Sequence, residues 1–222
     1  MKKKAIVGLV GGLAVLLIAG GLMASNMGFK LNYALDGQGT NGSANGNNTL
    51  ALPFNQQTNI VNAFDLVTDI GGFVTVQSIS RFDRTTDGLS SYTGVGAPFA
   101  LVPGDAYFVQ LAVGVPNVDY IVVGSHDPGL TLQFDGVGTN GSANGNIFYA
   151  YHYLSSAGNA SALIDELGGL TVIQSVSRFD RVTDGQVSYS GVGIAFALDP
   201  GKGYFVQLTP QQASLQFVPS HF

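Results

Sequence analysis

The residues whose types could do chemistry recur twice, in a block that the chain carries in two copies. Arg-Phe-Asp-Arg stands at residues 81–84 and again at residues 178–181, and an Asp-Gly pair follows each tetrapeptide. Clustered carboxylate oxygens are the ligands that Ca2+ prefers. The sequence therefore offers a candidate Ca2+ site in each copy, with carboxylates from Asp83, Asp87, Asp180 and Asp184.

A structural interpretation competes with this metal site. Arg81 and Asp83 are two residues apart, so their side chains share one face of a β-strand. Arg84 and Asp87 lie at the adjoining turn. Because two cations stand beside the carboxylates, the pattern favours local ion pairs that fix a hairpin. We predict such pairs in both copies.

Ser125-His126-Asp127 places the three residue types of a hydrolase triad side by side. Neighbours on an extended chain point in different directions, so they do not form the nucleophile, base and orienting group of such a site. The chain has no cysteine, which removes disulfides, thiolate metal sites and cysteine nucleophiles. The sequence therefore predicts a protein that is not an enzyme, and a secreted hydrolase is the third alternative.

A second identical element, Gly-Thr-Asn-Gly-Ser-Ala-Asn-Gly-Asn, stands at residues 39–47 and 138–146. It has neither the acidic ladder of an EF-hand nor the Gly-Lys-Ser/Thr of a phosphate-binding loop. Its composition predicts a solvent-exposed loop. Its identity in both copies indicates either a recent duplication or a shared contact with a partner or glycan. The candidate contact residues are Asn41, Ser43, Asn45, Asn140, Ser142 and Asn144.

The elements that position these residues repeat at a constant offset. Residues 77–111 match residues 174–208 without a gap, at an offset of 97. Each copy predicts a hairpin at its Asp-Gly turn, followed by a Pro-Gly turn and a further strand. A short helix precedes each block, because apolar residues recur there at helical spacing. In the first copy we predict Asn59 as its N-cap and Gly71 as its end.

The predicted fold is mainly β, with two tandem small β-sandwich or barrel-like modules. Each module carries one short α-helix, and an N-terminal signal or hydrophobic helix precedes them. The predicted boundaries are residues 1–24 for the leader, 25–127 for the first module and 128–222 for the second. Units of this size can bury a core.

The leader has a basic start, Lys2–Lys4, and a long apolar run at residues 5–24. This order predicts a signal peptide that is removed after Ala24. The protein would then be secreted, periplasmic or on the surface of a bacterial cell. The alternative is an inner-membrane anchor at residues 5–24, because the run approaches the length that spans a bilayer. We expect membrane contact only through such an uncleaved leader.

Charge argues against nucleic acid as a partner. The formal net charge is −5, and beyond Lys2–Lys4 six basic residues face fourteen acidic ones. Nucleic-acid binding depends on clustered Lys and Arg side chains. The remaining partners are the chain itself and components or glycans of the cell envelope.

Several motifs of both halves resemble a known type of module. The order is a Leu-Pro strand at residues 52–55, a short helix, a Ser-Arg-Phe-Asp hairpin and a Phe-Ala-Leu-x-Pro-Gly-x-x-Tyr-Phe-Val strand. The chain resembles uncharacterised secreted bacterial tandem β-module proteins of the pattern SLP…SRFD…PGxGYFV. It departs from them where Tyr-His-Tyr at residues 151–153 replaces the second Leu-Pro. The resemblance implies a β-rich fold and export, and it implies no chemistry.

These observations predict an exported, non-enzymatic structural or adhesive protein of the cell envelope or extracellular space. The alternative is a surface module that binds a glycan or depends on calcium. We expect no cofactor apart from the Ca2+ of that alternative.

Overall fold

The computed structural model describes residues 29–52, 55–56, 59–125, 127, 129–153 and 155–219. The predicted signal peptide or anchor lies outside these residues, and so does His126. Within the described ranges, no helix is long and apolar enough to cross a bilayer.

The described part of the chain folds into two mainly β modules, as the sequence predicts. The first contains β1 (Phe29–Leu35), β2 (Asn47–Ala51), β3 (Asn55–Gln56), α1 (Ala63–Ile70), β4 (Val76–Asp83), β5 (Gly88–Tyr92), β6 (Ala106–Leu111) and β7 (Val118–Ser125). The second contains β8 (Leu132–Asp135), β9 (Asn146–Ala150), α2 (Ala160–Glu166), β10 (Ile173–Asp180), β11 (Gly185–Tyr189), β12 (Gly203–Leu208) and β13 (Ser214–Phe217).

Each module contains a four-stranded antiparallel sheet, which we call its inner sheet, and a smaller outer sheet. The inner sheets have the orders β2-β6-β4-β5 and β9-β12-β10-β11. The outer sheets have the orders β1-β7-β3 and β8-β13. The closing strand of each module therefore pairs with its opening strand, β7 with β1 and β13 with β8.

The two short helices begin at equivalent asparagines. Asn62 caps α1, where its side-chain oxygen accepts hydrogen bonds from the backbone N–H groups of Phe64 and Asp65. The Asp65 carboxylate accepts in return from the Asn62 N–H, which completes a capping box. Our prediction of Asn59 as the cap is therefore wrong by one turn. Asn159 caps α2, at the offset of 97 from Asn62.

Alternation along β6 divides the side chains of the first inner sheet between two cores. Tyr107, Val109 and Leu111 pack with the buried face of α1. Phe108 points to the other face of the sheet and joins a separate cluster. The same division holds in β12, where Tyr204, Val206 and Leu208 face α2 and Phe205 points away.

The two inner sheets pack against each other through the faces that point away from their helices, the faces that carry Phe108 and Phe205. The backbone N–H of Ala51 donates to the carbonyl of Gly201 at 2.8 Å, and that of Ala150 donates to Gly104 at 2.8 Å. Because these contacts are reciprocal, the modules are related by an approximate two-fold arrangement. The apolar cluster between them comprises Ala51, Ala106, Phe108, Phe148, Ala150 and Phe205, with Phe82 and Phe179 at its margin.

Gly203 lies where the two modules approach each other closely. A Cβ at this position would lie 2.4 Å from the Ala106 Cβ and 2.7 Å from the Phe148 ring. Gly203→Ala is therefore expected to lower the free energy of unfolding by about 1–3 kcal/mol, because neither neighbour can move without disturbing the sheet. Urea titration measures the effect. Gly158→Ala is the matched control, since a Cβ there meets nothing within 4 Å.

Candidate functional site

The two repeated motifs bind each other across the module boundary. Asn144 and Asn146, from the second polar loop, donate side-chain hydrogen bonds of 2.8 Å each to the Asp87 carboxylate of the first hairpin. Asn45 and Asn47 clamp Asp184 in the reciprocal way, at 2.9 and 2.8 Å. Each module therefore inserts its loop against the hairpin of the other.

Backbone and charge contacts reinforce this clamp. The N–H of Ala143 donates to the Arg84 carbonyl at 2.8 Å. The Arg84 guanidinium binds the Asp135 carboxylate at 3.0 Å, and Arg181 pairs with the buried Asp36 in the reciprocal place. The ion pairs of the described residues thus join the two modules. Our prediction of local pairs within each hairpin is wrong. The carboxylates that pair with Arg84 and Arg181 stand at the ends of the opening strands of the opposite modules, and Arg81 and Arg178 stack on phenylalanine rings.

The four candidate calcium ligands have protein partners. Asp83 accepts from the Thr85 N–H and hydroxyl, which holds the pKa of its carboxyl below the ordinary value. A hydrogen bond from the Thr183 hydroxyl, with one from the Val182 N–H, lowers the pKa of Asp180 in the same way. Asp87 and Asp184 accept from the asparagines. Within the described ranges no three His, Asp or Glu side chains converge as a metal site would need, and we propose none.

The asparagines and serines predicted as glycan or partner contacts are bound within the chain. Asn41 and Asn140 donate to Asp36 and Asp135 of their own modules. Ser43 is 2% exposed and accepts from the Gly46 N–H. Ser142 does the same with Gly145. The prediction of a solvent-exposed loop is confirmed for Asn41, Asn45, Asn140 and Asn144, which are exposed. It is wrong for the two serines, which are buried and accept hydrogen bonds within their own loops. A direct contact of these six residues with a glycan stays a prediction.

A cleft of about 700 Å3 lies between the inner sheets, beside the apolar cluster. The sheets meet closely where Phe108 and Phe205 pack, and they diverge toward β5 and β11. A volume of this size falls within the range of small-molecule binding sites.

The walls of the cleft carry hydroxyl and amide groups. Ser80 and Ser91 share a hydrogen bond of 2.7 Å between neighbouring strands, and Ser177 and Ser188 share an equal bond in the second module. Four phenylalanine rings form the apolar floor. The lining residues that the two modules contribute in pairs are Asn47, Ser78, Ser80, Phe82, Ser91, Phe108 and Gln110, with Asn146, Ser175, Ser177, Phe179, Ser188, Phe205 and Gln207.

Asp87 and Asp184 are the only charged residues among the described side chains that line the cleft. Each carboxylate already accepts two amide hydrogen bonds. The walls therefore offer a ligand mainly neutral donors and acceptors beside aromatic rings. A serine hydroxyl that donates one hydrogen bond retains lone pairs that accept others.

Sequence reasoning did not identify these serines and glutamines as a site. Their signal was present, because Ser78 and Ser80 alternate with Ile79 and Arg81 along one strand. Such alternation predicts a polar face opposite the core. It does not reveal that the polar face of one module lies opposite the same face of the other.

Asp105 lies close to the boundary between the modules, beside Arg81 and Arg84. Burial raises the pKa of its carboxyl to about 6, although the two arginines oppose the shift. The folded protein therefore binds this proton more tightly than the unfolded chain. The resulting stabilisation is present below pH of about 4 and is lost as the pH rises through about 6.

Asp105→Asn is expected to remove this pH dependence. Between pH 4 and pH 7 the wild type should lose about 2–3 kcal/mol of unfolding free energy relative to the variant, the value of a two-unit shift. Urea titrations of both proteins across this range measure the difference. Parallel curves for the two proteins would contradict the assignment.

No family model matches this chain, and no curated protein or solved structure matches it either.

Proposed function

We propose that this chain is an exported, non-enzymatic surface protein that adheres to a neutral glycan in the cleft between its modules. The observation that carries the proposal is the lining of that cleft. Its volume of about 700 Å3 is bounded by serine, asparagine and glutamine side chains over phenylalanine rings. The two carboxylates at its margin are already bound by asparagines.

The chemistry of a sugar matches this lining. Sugar hydroxyls both donate and accept hydrogen bonds, as do the hydroxyl and amide groups of the walls. The C–H faces of a sugar ring are apolar and pack on aromatic side chains, here Phe82 and Phe179 with their neighbours. The scarcity of free charge favours a neutral ligand over an ionic one.

The leader and the composition support export. A basic start followed by an apolar run is typical of a signal peptide. Because the chain has no cysteine, its folding outside the cell requires no disulfide formation. We place the mature protein in the periplasm, on the cell surface or outside the cell.

Co-sedimentation with insoluble neutral polysaccharides tests the proposal. Mature protein is mixed with cellulose, chitin or starch granules, and the bound fraction is measured against protein concentration. The cleft variant Ser91→Glu with Ser188→Glu adds bulk and charge to both walls, and we expect it to weaken binding at least about tenfold, the loss of one good hydrogen-bonding contact.

The matched control, Ser90→Glu with Val187→Glu, introduces two glutamates on the opposite face of the same strands. These positions face Arg81 and Arg178 across the sheet. The control should bind as the wild type does. If the wild type sediments with none of the polysaccharides, or if both double variants bind equally, the cleft is not a glycan site.

A second candidate function is self-assembly by strand addition. β5 and β11 end their inner sheets, and each pairs with one strand only in the described part of the chain. Neither strand contains a charged residue, although charges on an edge usually block association. This candidate predicts concentration-dependent oligomers in sedimentation velocity, which Leu89→Lys with Gln186→Lys should abolish. A monomer at every concentration would contradict it.

A further inference from the structure

The two junctions between a hairpin and the opposite loop are not equivalent. At the first junction, around Arg84, the remaining space is about 10 Å3. At the second junction, around Arg181, an open pocket of about 270 Å3 takes its place. The two junctions are built from the same repeated motifs, so the difference must arise from the few positions at which the copies have drifted.

Side-chain size accounts for the space. Phe148 lines and fills the first junction, and its counterpart in the repeat, Thr49, lines the second. At the second junction the smaller Thr49 side chain therefore stands where the first junction has a phenylalanine ring, and the pocket occupies the space that this leaves.

Charge differs at the same place. The first junction contains its own carboxylate, because Asp105 lies beside Arg81 and Arg84. The negative charge of Asp105 balances these guanidinium groups from within the protein.

In the second module Lys202 stands where the first has Asp105. Arg178, Arg181 and Lys202 all line the open pocket, so three of the six basic residues beyond the leader lie together. Arg178 stacks on the Phe196 ring at 5.2 Å. Lys202 makes no ion pair with a described carboxylate. Burial, and then the charge of Arg181, lower the pKa of its ammonium group.

Three carboxylates near the pocket equal these cations in number, but among the described residues none of them forms an ion pair with Arg178 or Lys202. Asp36 pairs with Arg181. Asp180 is held in its own turn by Thr183. Asp199 is exposed at the rim and raises the pKa of Lys202 less than burial lowers it. A carboxylate from outside would therefore find unpaired donors on Arg178 and Lys202.

We infer that this pocket binds the carboxylate group of a small acidic ligand of sugar size, such as a uronate. Guanidinium and ammonium groups bind carboxylates through charge-assisted hydrogen bonds, and partial burial strengthens such bonds. Asn41, Thr49 and the Tyr204 side chain border the same space, and polar side chains there can accept or donate to the ligand's hydroxyls. The ligand supplies the negative charge that Asp105 supplies in the first module.

This inference does not rest on the proposed glycan cleft. The Phe179 side chain lines both spaces and separates them, and a free monosaccharide acid is enough to test the pocket. Loss of cleft binding in the Ser91→Glu and Ser188→Glu variant would leave uronate binding unchanged.

Isothermal titration calorimetry of the full mature chain tests the pocket. Sodium glucuronate and sodium galacturonate are the probes, glucose is the probe without a carboxylate, and inorganic phosphate is the alternative oxyanion. In the Ser91→Glu with Ser188→Glu background, which removes binding in the cleft, we expect one uronate site and no heat with glucose. Phosphate binding with no uronate binding would show a general oxyanion site and overturn the carboxylate assignment.

Three variants locate the binding. Lys202→Asp restores the charge of the first module and should weaken uronate binding at least about tenfold, the loss of one charge-assisted hydrogen bond. Thr49→Phe fills the second junction as Phe148 fills the first, and it should weaken uronate binding by steric exclusion. Asp105→Asn, at the first junction, should leave binding unchanged. Circular dichroism confirms that each variant is folded.

Three results would overturn the inference. The first is the absence of uronate binding to the wild type in calorimetry and in a ligand-observed NMR titration. The second is uronate binding that both Lys202→Asp and Thr49→Phe leave intact. The third is a loss of uronate affinity in Asp105→Asn equal to the loss in Lys202→Asp. This result would mean that the ligand binds elsewhere or responds only to the total charge of the protein.

Discussion

Phe148→Ala is expected to lower the free energy of unfolding by about 3–5 kcal/mol, the usual cost of truncating a buried phenylalanine. The Phe148 ring is 3% exposed and stacks on Phe205 at 4.4 Å and on Phe108 at 4.7 Å between centroids. These partners belong to both modules, so the cavity opens in the boundary between them. Thermal unfolding should show a midpoint lower by roughly 10 °C for a chain of this size.

Phe64→Ala is the matched control for this change. Phe64 lies on α1 and is 48% exposed, so its truncation should cost no more than about 0.5 kcal/mol. A cost below about 1 kcal/mol for Phe148→Ala would mean that the two sheets do not pack on this ring.

Asp36→Ala is expected to cost about 2–3 kcal/mol. The Asp36 carboxylate is 2% exposed, accepts from Asn41 and pairs with Arg181 of the opposite module. Removing one partner of a fully buried ion pair costs about 3–5 kcal/mol. We expect less here because the Arg181 side chain is 37% exposed and regains water. Guanidinium titration measures the change.

The repeat supplies a second, independent test of this contact. Asp135 takes the place of Asp36 in the other module and binds Arg84 at 3.0 Å, so Asp135→Ala should give a similar loss. Asp119→Ala, at an exposed position, is the control and should change stability little. Equal stability of all three variants would show that the cross-module ion pairs do not stabilise the protein.

Much of each module could be predicted from local signals. The Asp-Gly hairpins, the closing strands and the alternation of Tyr107, Val109 and Leu111 all depend on residues near one another in sequence, and the structure confirms them. The misplaced cap of α1 could have been avoided. Asn159 precedes α2 directly, and the offset between the copies leads from it to Asn62.

The partners of the repeated charges could not be predicted in this way. Each copy contains both an arginine-rich hairpin and a polar loop with a preceding aspartate. The same sequence therefore permits pairing within a copy or between copies. Only the packing of Phe108, Phe148 and Phe205 at the boundary decides between them, because it turns each hairpin toward the opposite loop.

The candidate sites depend on that same packing. The cleft needs two polar sheet faces opposite each other, and the acidic-ligand pocket needs Thr49 of one module beside Lys202 of the other. The sequence shows that Phe148 and Thr49 differ between the copies. It does not show that their difference opens a pocket, because neither residue is near Lys202 along the chain.

Calorimetric unfolding of the mature chain tests most directly the claim that the two modules interlock. Contacts that span the boundary couple the modules, so we expect one transition, with a ratio of calorimetric to van't Hoff enthalpy of about 1. Two resolved transitions, or an enthalpy ratio of about 2, would show that the modules unfold independently. That result would contradict the packing of the two inner sheets against each other, and with it the cleft and the pocket that lie between the modules.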